Sequence, residues 1–181
     1  LKTDGTVVVV GDYSRFGEAW LTEWTNIVAV FASDFFIAGL QQDGTVVTAC
    51  KFEDRLLNVT DWTGIVDIAL SEWHIVGLKS DGTVIAQAAS NSVSEGEMAR
   101  SVAEWTDIVA VSAQINKTAA LRSDGTVIIK YMGQRTYIFR WKNVKHISTG
   151  SGMIMAIDKD DNLIVPNNHR LSSLEGLDAL R

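Results

Sequence analysis

The sequence predicts an all-β protein built from β-propeller blades, and three observations predict it. Asp-Gly-Thr recurs at Asp4, Asp43, Asp81 and Asp124. Trp24, Trp62, Trp105 and Trp141 each precede an aspartate (Asp43, Asp81, Asp124 and Asp160) by the same 19 residues. Between these landmarks the apolar residues repeat column by column. Self-similarity of this kind, with a period of roughly 40 residues, marks stacked β-units that cannot bury their apolar faces alone.

The elements of one unit follow in order. Three residues after each tryptophan stand Ile27, Ile65, Ile108 and Val144, and six after stand Val30, Ile68, Val111 and Ile147. Runs such as Ile27-Val28-Ala29-Val30 are apolar on both faces, which predicts a first strand sandwiched between two layers. A second strand is expected over Phe36 to Gln41, His74 to Lys79, Thr118 to Arg122 and Ile154 to Asp158. It carries Gly39, Gly77, Ala120 and Ala156 in one column, where converging sheets leave no room for a large side chain. Asp-Gly then turns the chain into a third strand, such as Thr45 to Cys50 or Thr83 to Ala88, because glycine accepts the positive φ of a tight hairpin. The fourth copy of this turn is worn to Asp160-Asp161-Asn162.

Strand parity predicts one element more. Three antiparallel strands leave the chain on the wrong edge to begin the next copy, so the variable segment must hold a return strand. Glu18 to Thr22, Leu56 to Thr60, Arg100 to Ala103 and Thr136 to Phe139 are the candidates, sharing apolar Leu21, Val59, Val102 and Ile138 in one column. The copies are then 1–23 (partial), 24–61, 62–104, 105–140 and a divergent 141–181 within a single repeat domain. In the last copy Pro166, the only proline, ends the clear pattern. Ser172-Ser173-Leu174-Glu175 then reads as a capping box, with Leu171, Leu174, Leu177 and Leu180 at every third residue of a short helix.

Taken together, these columns resemble the regulator-of-chromosome-condensation repeat, most closely its short bacterial version. The clearest copy runs Asp61-Trp62-Thr63-Gly64-Ile65-Val66, then His74-Ile75-Val76-Gly77-Leu78-Lys79-Ser80-Asp81-Gly82-Thr83-Val84. The resemblance covers nearly the whole chain. It departs where the family favours Ala-Gly before the second strand (here Ala32-Ser33, Leu70-Ser71, Ala113-Gln114 and Thr149-Gly150), and the family's Gly-Gln after the third strand is missing. The resemblance implies a ring of about seven blades, of which this chain holds four to five. Leu1 aligns with Leu40, Leu78 and Leu121 in mid-strand, so the chain reads as part of a longer protein. Open blade edges then predict poor stability or self-association when it is expressed alone. A ring completed by two chains is the alternative. Family members serve as exchange factors, as inhibitors of other proteins and as scaffolds.

Composition excludes several functions. With 46% hydrophobic and 21% charged residues the chain can build a core, while a net charge of -6 and no basic run argue against nucleic acid. No apolar stretch is long enough to span a membrane, and Cys50 is the single cysteine. The compartment stays open between cytoplasm and exterior. His74, His146 and His169 fall in different columns, so no shared metal site is expected, and His74 reads as structural. Asp158-Lys159-Asp160-Asp161-Asn162 lacks the glycine and the closing acid of a calcium loop. No catalytic motif and no cofactor loop is present.

The expected function is therefore non-catalytic protein binding through one face of the propeller. An enzyme with a central-channel site completed by further blades, or a cell-surface repeat array, are the competing readings. The first-hairpin loops and the segments after the third strand share one edge. All length variation between copies falls on that edge, and loops on a rigid scaffold carry recognition. Tyr13, Phe16, Trp20, Phe35, Phe52, Arg55, Trp73, Tyr131 and Arg135 are the candidate binding residues, since aromatics and arginine dominate protein interfaces.

Overall fold

A computed structural model describes residues 1–10, 23–52, 57–89, 93–134, 136–141, 143–150 and 153–165. Among the described residues the chain forms four antiparallel sheets in sequence order. The first holds β1 (Ile27–Ala32), β2 (Phe36–Gln41) and β3 (Val46–Cys50). The second holds β4 (Ile65–Leu70), β5 (His74–Lys79) and β6 (Val84–Ala88), followed by helix α1 (Val93–Val102). The third holds β7 (Ile108–Gln114), β8 (Lys117–Arg122), β9 (Val127–Tyr131) and β10 (Thr136–Phe139). The fourth holds β11 (Val144–Gly150), β12 (Met153–Asp158) and β13 (Leu163–Ile164). First strands of neighbouring sheets lie side by side, β4 against β7 and β7 against β11, as in blades arrayed about an axis. The expected all-β propeller architecture is the observed one.

The core lies between blades and is the same interface used repeatedly. Ala38, Leu40 and Val46 of the first sheet meet Trp62, Ile65 and Ile68 of the second. Val76, Leu78 and Val84 meet Trp105, Ile108 and Val111 of the third. Ala119, Leu121 and Val127 meet Val144, Ile154 and Trp141 of the fourth. Each indole thus fills the gap between its own sheet and the one before. The small column is the space it needs: a Cβ on Gly77 would stand 2.8 Å from Trp62, and one on Gly39 would stand 3.0 Å from Trp24.

Two left-handed positions join successive blades. The glycines of the Asp-Gly turns have φ of 78° at Gly5, 80° at Gly44, 80° at Gly82 and 85° at Gly125, and Asp161 takes the same place in the worn turn at 66°. Two residues after each tryptophan, Asn26, Gly64, Asp107 and Asn143 are also left-handed. The paired turns interlock, because Ile27, Ile65 and Ile108 donate their N–H groups to the carbonyls of Gly5, Gly44 and Gly82 at 3.0, 3.0 and 2.9 Å. Asp and Thr close each turn locally. Asp81 Oδ1 accepts from the Thr83 hydroxyl at 2.6 Å and from its N–H at 2.9 Å. These bonds hold the carboxyls of Asp4, Asp43, Asp81 and Asp124 below the usual range.

A graded stability result follows. A Cβ at Gly44 would meet the Gly64 and Ile65 backbone at 3.1–3.2 Å, whereas one at Gly82 meets nothing nearer than 3.5 Å. Gly82→Ala should then lose only the left-handed penalty of about 1–2 kcal/mol, and Gly44→Ala distinctly more. Gly64→Asn should be close to neutral, since nothing crowds its Cβ and asparagine already serves at Asn26 and Asn143. Urea melts of the three variants check the order.

Two expectations are corrected. The first strands are not covered on both faces: Val28, Val66 and Val109 are 52%, 53% and 52% exposed. Each is the extra residue of a β-bulge, where the register skips between Ile27 and Ala29, Ile65 and Asp67, and Ile108 and Ala110. A bulge leaves its added residue out of the ladder and turns it outward. The return strand, expected in every copy, is present as a strand only at Thr136–Phe139 among the described residues. Arg100–Val102 closes α1 instead, and Leu57 to Val59 runs beside the first sheet without pairing, its Leu57 carbonyl accepting from Thr48 Oγ1 at 3.3 Å. Parity requires the chain to cross back, not to pair while crossing. Val59 and Val102 stay buried in either conformation, and their carbonyls accept the N–H of Trp62 and Trp105 at 3.0 Å. The stretch from Glu18 to Thr22 and the helix expected from Leu171 lie outside the described residues.

Candidate binding face

Each hairpin between a first and a second strand is braced from behind. The residue after the third strand donates its N–H to a loop carbonyl: Lys51 to Phe35 at 2.9 Å, Ala89 to Trp73 at 2.8 Å and Met132 to Asn116 at 2.7 Å. The first-hairpin loops and the third-strand ends therefore share one edge, as strand direction predicts. The Asp-Gly turns, with Lys79 and Arg122 beside them, lie at the opposite ends of the same strands.

On this edge the structure gathers three of the expected residues. The Phe35 ring meets Phe52 edge-on at 5.3 Å and Trp73 at 6.2 Å between centroids. All three are half-buried, so a ring contact bridges the first and second blades while part of each ring stays open to solvent. T-shaped pairs at these separations hold aromatic rings in fixed relative orientation. Tyr131 belongs to a separate pair, edge-on to Tyr137 at 5.7 Å, with the Lys117 ammonium 5.9 Å from its ring centre. Tyr137 was not among the expected residues. Its signal lay in the return strand, where it shares the column of Trp20. Tyr13, Phe16, Trp20, Arg55 and Arg135 lie outside the described residues.

Beneath the loops, polar side chains stitch neighbouring blades. His74 is fully buried, with Nδ1 2.8 Å from Ser71 Oγ and Nε2 2.6 Å from Thr118 Oγ1 in the next sheet. Burial without an opposing charge pulls its pKa down to about 4, so the ring is neutral at ordinary pH. Lys117, one blade on and in the same column, donates to the Gly150 carbonyl and, at 2.9 Å, to that of Met153. Burial holds its ammonium below the usual lysine value. Glu72 accepts the Ile115 N–H at 3.0 Å, and Ser112 Oγ lies 2.8 Å from Thr149 Oγ1. These groups satisfy one another across blade boundaries, which suits a rigid platform. His146 is exposed on β11, and the described residues hold no group of three or more metal-ligating side chains. The Asp158 carboxylate is spent on its own turn, accepting from the Asp160 and Asn162 N–H groups at 2.9 and 2.8 Å.

Solved structures share this fold. Yeast Prp20p, the RCC1 protein of Saccharomyces cerevisiae, is 14% identical with a TM-score of 0.57, covering 76% of this chain and 42% of its own. The chain has the fold of RCC1-type β-propeller repeats. Human WBSCR16 is similar at 12% identity and a TM-score of 0.60, covering 77% of this chain and 47% of its own. The CRINKLY WD40 ectodomain of the Arabidopsis thaliana receptor kinase ACR4 matches at 18% identity and a TM-score of 0.58, covering 76% of this chain and 54% of its own. The propeller segment thus spans about half the length of these relatives in structure. No family model and no curated protein sequence matches it.

Proposed function

We propose that this propeller segment is a non-catalytic scaffold that binds a protein partner through the hairpin-loop edge, with Trp73, Phe35 and Phe52 as the anchor. The observation that carries this reading is the inter-blade aromatic contact on the edge where copies differ most. Half-exposed aromatics fixed on a rigid support bind with little loss of side-chain freedom and are typical hot spots. The yeast relative Prp20p has been studied for binding to Gsp1p and histones, which gives the fold a precedent for protein partners.

The test is a quantitative affinity capture from an extract of the source cells, comparing the wild type with Trp73→Ala and with Lys79→Ala on the Asp-Gly edge. Trp73→Ala should weaken recovery of specific partners by about 1–2 kcal/mol, roughly tenfold, and Lys79→Ala should leave it unchanged. Loss with Lys79→Ala and none with Trp73→Ala would place binding on the other edge.

A further inference from the structure

The first strands carry an apolar feature that blade packing does not use. Val28, Val66 and Val109 are each the residue that a bulge turns out of its ladder, and they are 52%, 53% and 52% exposed. An outward bulge position needs no apolar side chain, and one exposed valine would be ordinary. Here three copies place the same residue at the same point. The first strand stands at the end of the strand order in each of these sheets, and β1, β4 and β7 follow one another side by side. The valines therefore form one arc at the Asp-Gly end of the array.

Carboxylates flank the middle of this arc. The Asp43-Gly44 turn packs on the start of β4, where the Gly44 carbonyl accepts the Ile65 N–H at 3.0 Å, so Asp43 lies to one side of Val66. Asp67 follows Val66 in the strand, half-buried, with Oδ1 accepting the Ile68 N–H at 2.8 Å. Burial holds its carboxyl above the usual range. Neither acid belongs to an ion pair among the described residues, where the pairs are Lys130 with Glu97 and Lys145 with Asp161. The next two turns differ. Lys79 and Arg122 help to keep Asp81 and Asp124 ionised, and the first blade has Gln41 in their column.

We propose that this arc docks a segment of a partner protein in which apolar residues are interleaved with lysine or arginine, the apolar side chains lying on Val28, Val66 and Val109 and a cation meeting Asp43 and Asp67. Charge complementarity selects this occupant. The fourth copy carries the precedent: Lys145 is its bulge residue, in the column of the valines, and pairs with Asp161 of its own blade's turn. A partner's cation beside Val66 does from outside what Lys145 does within the chain. Opposite charge steers such a segment to the arc, and covering the valines holds it there. The arc lies at the other end of the strands from Trp73, so it is a second surface, independent of the aromatic edge.

Fluorescence anisotropy of the chain with three labelled peptides tests this: one of alternating leucine and lysine, one with serine for leucine, and one with glutamate for lysine. The leucine–lysine peptide should bind saturably, and the other two at least about tenfold more weakly. Val28→Thr, Val66→Thr and Val109→Thr together keep the side-chain shape and should weaken binding about tenfold. Asp43→Asn with Asp67→Asn keeps the oxygens that accept from Thr45 and Ile68, and should remove most of the preference for lysine over glutamate. No saturable binding, equal binding of the serine peptide, or no effect of the threonines overturns the arc as a docking site. Equal binding of the glutamate peptide overturns the choice of a basic partner. Hydrogen exchange of the unaltered chain decides if a variant unfolds. Bound peptide should protect amides within 27–32, 65–70 and 108–114. Protection at 33–35 and 71–73 instead would put the peptide on the aromatic edge and overturn the proposal, as would no change at any of them.

Discussion

Trp62→Ala is expected to lower unfolding stability by about 3–5 kcal/mol, enough to unfold much of a domain of ordinary stability. Trp62 is buried between the first two sheets among Leu40, Val46, Ile65 and Ile68. Its indole lies against Gly77, a residue with no side chain to relax into the space left behind. Trp141 is only partly buried, packed at the edge of its cluster beside Phe139, so Trp141→Ala should lose less than half as much. Urea denaturation followed by far-UV circular dichroism gives both values. A double-mutant cycle sharpens the argument. Gly77→Ala alone should destabilise by about 1–3 kcal/mol, because its Cβ meets the indole. In the Trp62→Ala background most of that loss should disappear, since both indole atoms are gone and only Ile65 Cδ1, at 3.0 Å, is left for the Cβ to meet. Equal losses in both backgrounds would show that the small column answers to something other than the indole.

Stability should also fall between pH 6.5 and pH 4, and His74 is the reason. Its pKa is about 4 in the folded chain against an unfolded value of 6.5. The unfolded state therefore binds the proton first as pH drops. The stabilisation is complete above pH 6.5, declines below it, and is lost by the time the folded pKa is passed. The shift corresponds to on the order of 3 kcal/mol. The Asp-Gly carboxylates act in a different window. Their folded values lie below 3.8, so they weaken the fold only as pH falls through 3.8 and beneath it. His74→Phe, which copies the Phe36 of the same column, should flatten the curve between pH 6.5 and 4 and leave the acid limb in place. It should also lower stability at pH 7, because Ser71 and Thr118 lose a buried partner. An unchanged slope in the histidine window would show that His74 takes up its proton over the same pH range in the folded and the unfolded chain.

The repeat was legible from the order of residues alone, because each landmark answers to a local requirement that recurs in every copy. A left-handed residue is needed at Gly44 and Gly82 whatever surrounds them, and a buried indole must have a glycine or alanine beneath it. The second and third strands were legible to within a residue for the same reason: their apolar periodicity is set by contact with the neighbouring blade. The worn turn at Asp160-Asp161-Asn162 was recognisable by position alone, and Asp161 adopts the backbone that glycine takes elsewhere. The aromatic edge could be named residue by residue, but not grouped. That Phe35 and Phe52 meet Trp73 from the next copy, while Tyr131 pairs with Tyr137, depends on how two blades are set beside each other, which no column of a single copy records. How each segment crosses back is likewise a matter of packing. Val59, Val102 and Ile138 share a column, yet one lies in an irregular run, one in a helix and one in a strand. The column keeps an apolar residue in all three copies, but packing decides its fate: Val59 and Val102 are buried, while Ile138 is 58% exposed. The bulges at Val28, Val66 and Val109 were hidden for a related reason. A valine suits a covered strand and an exposed bulge equally well, and only the skipped ladder pairing tells them apart.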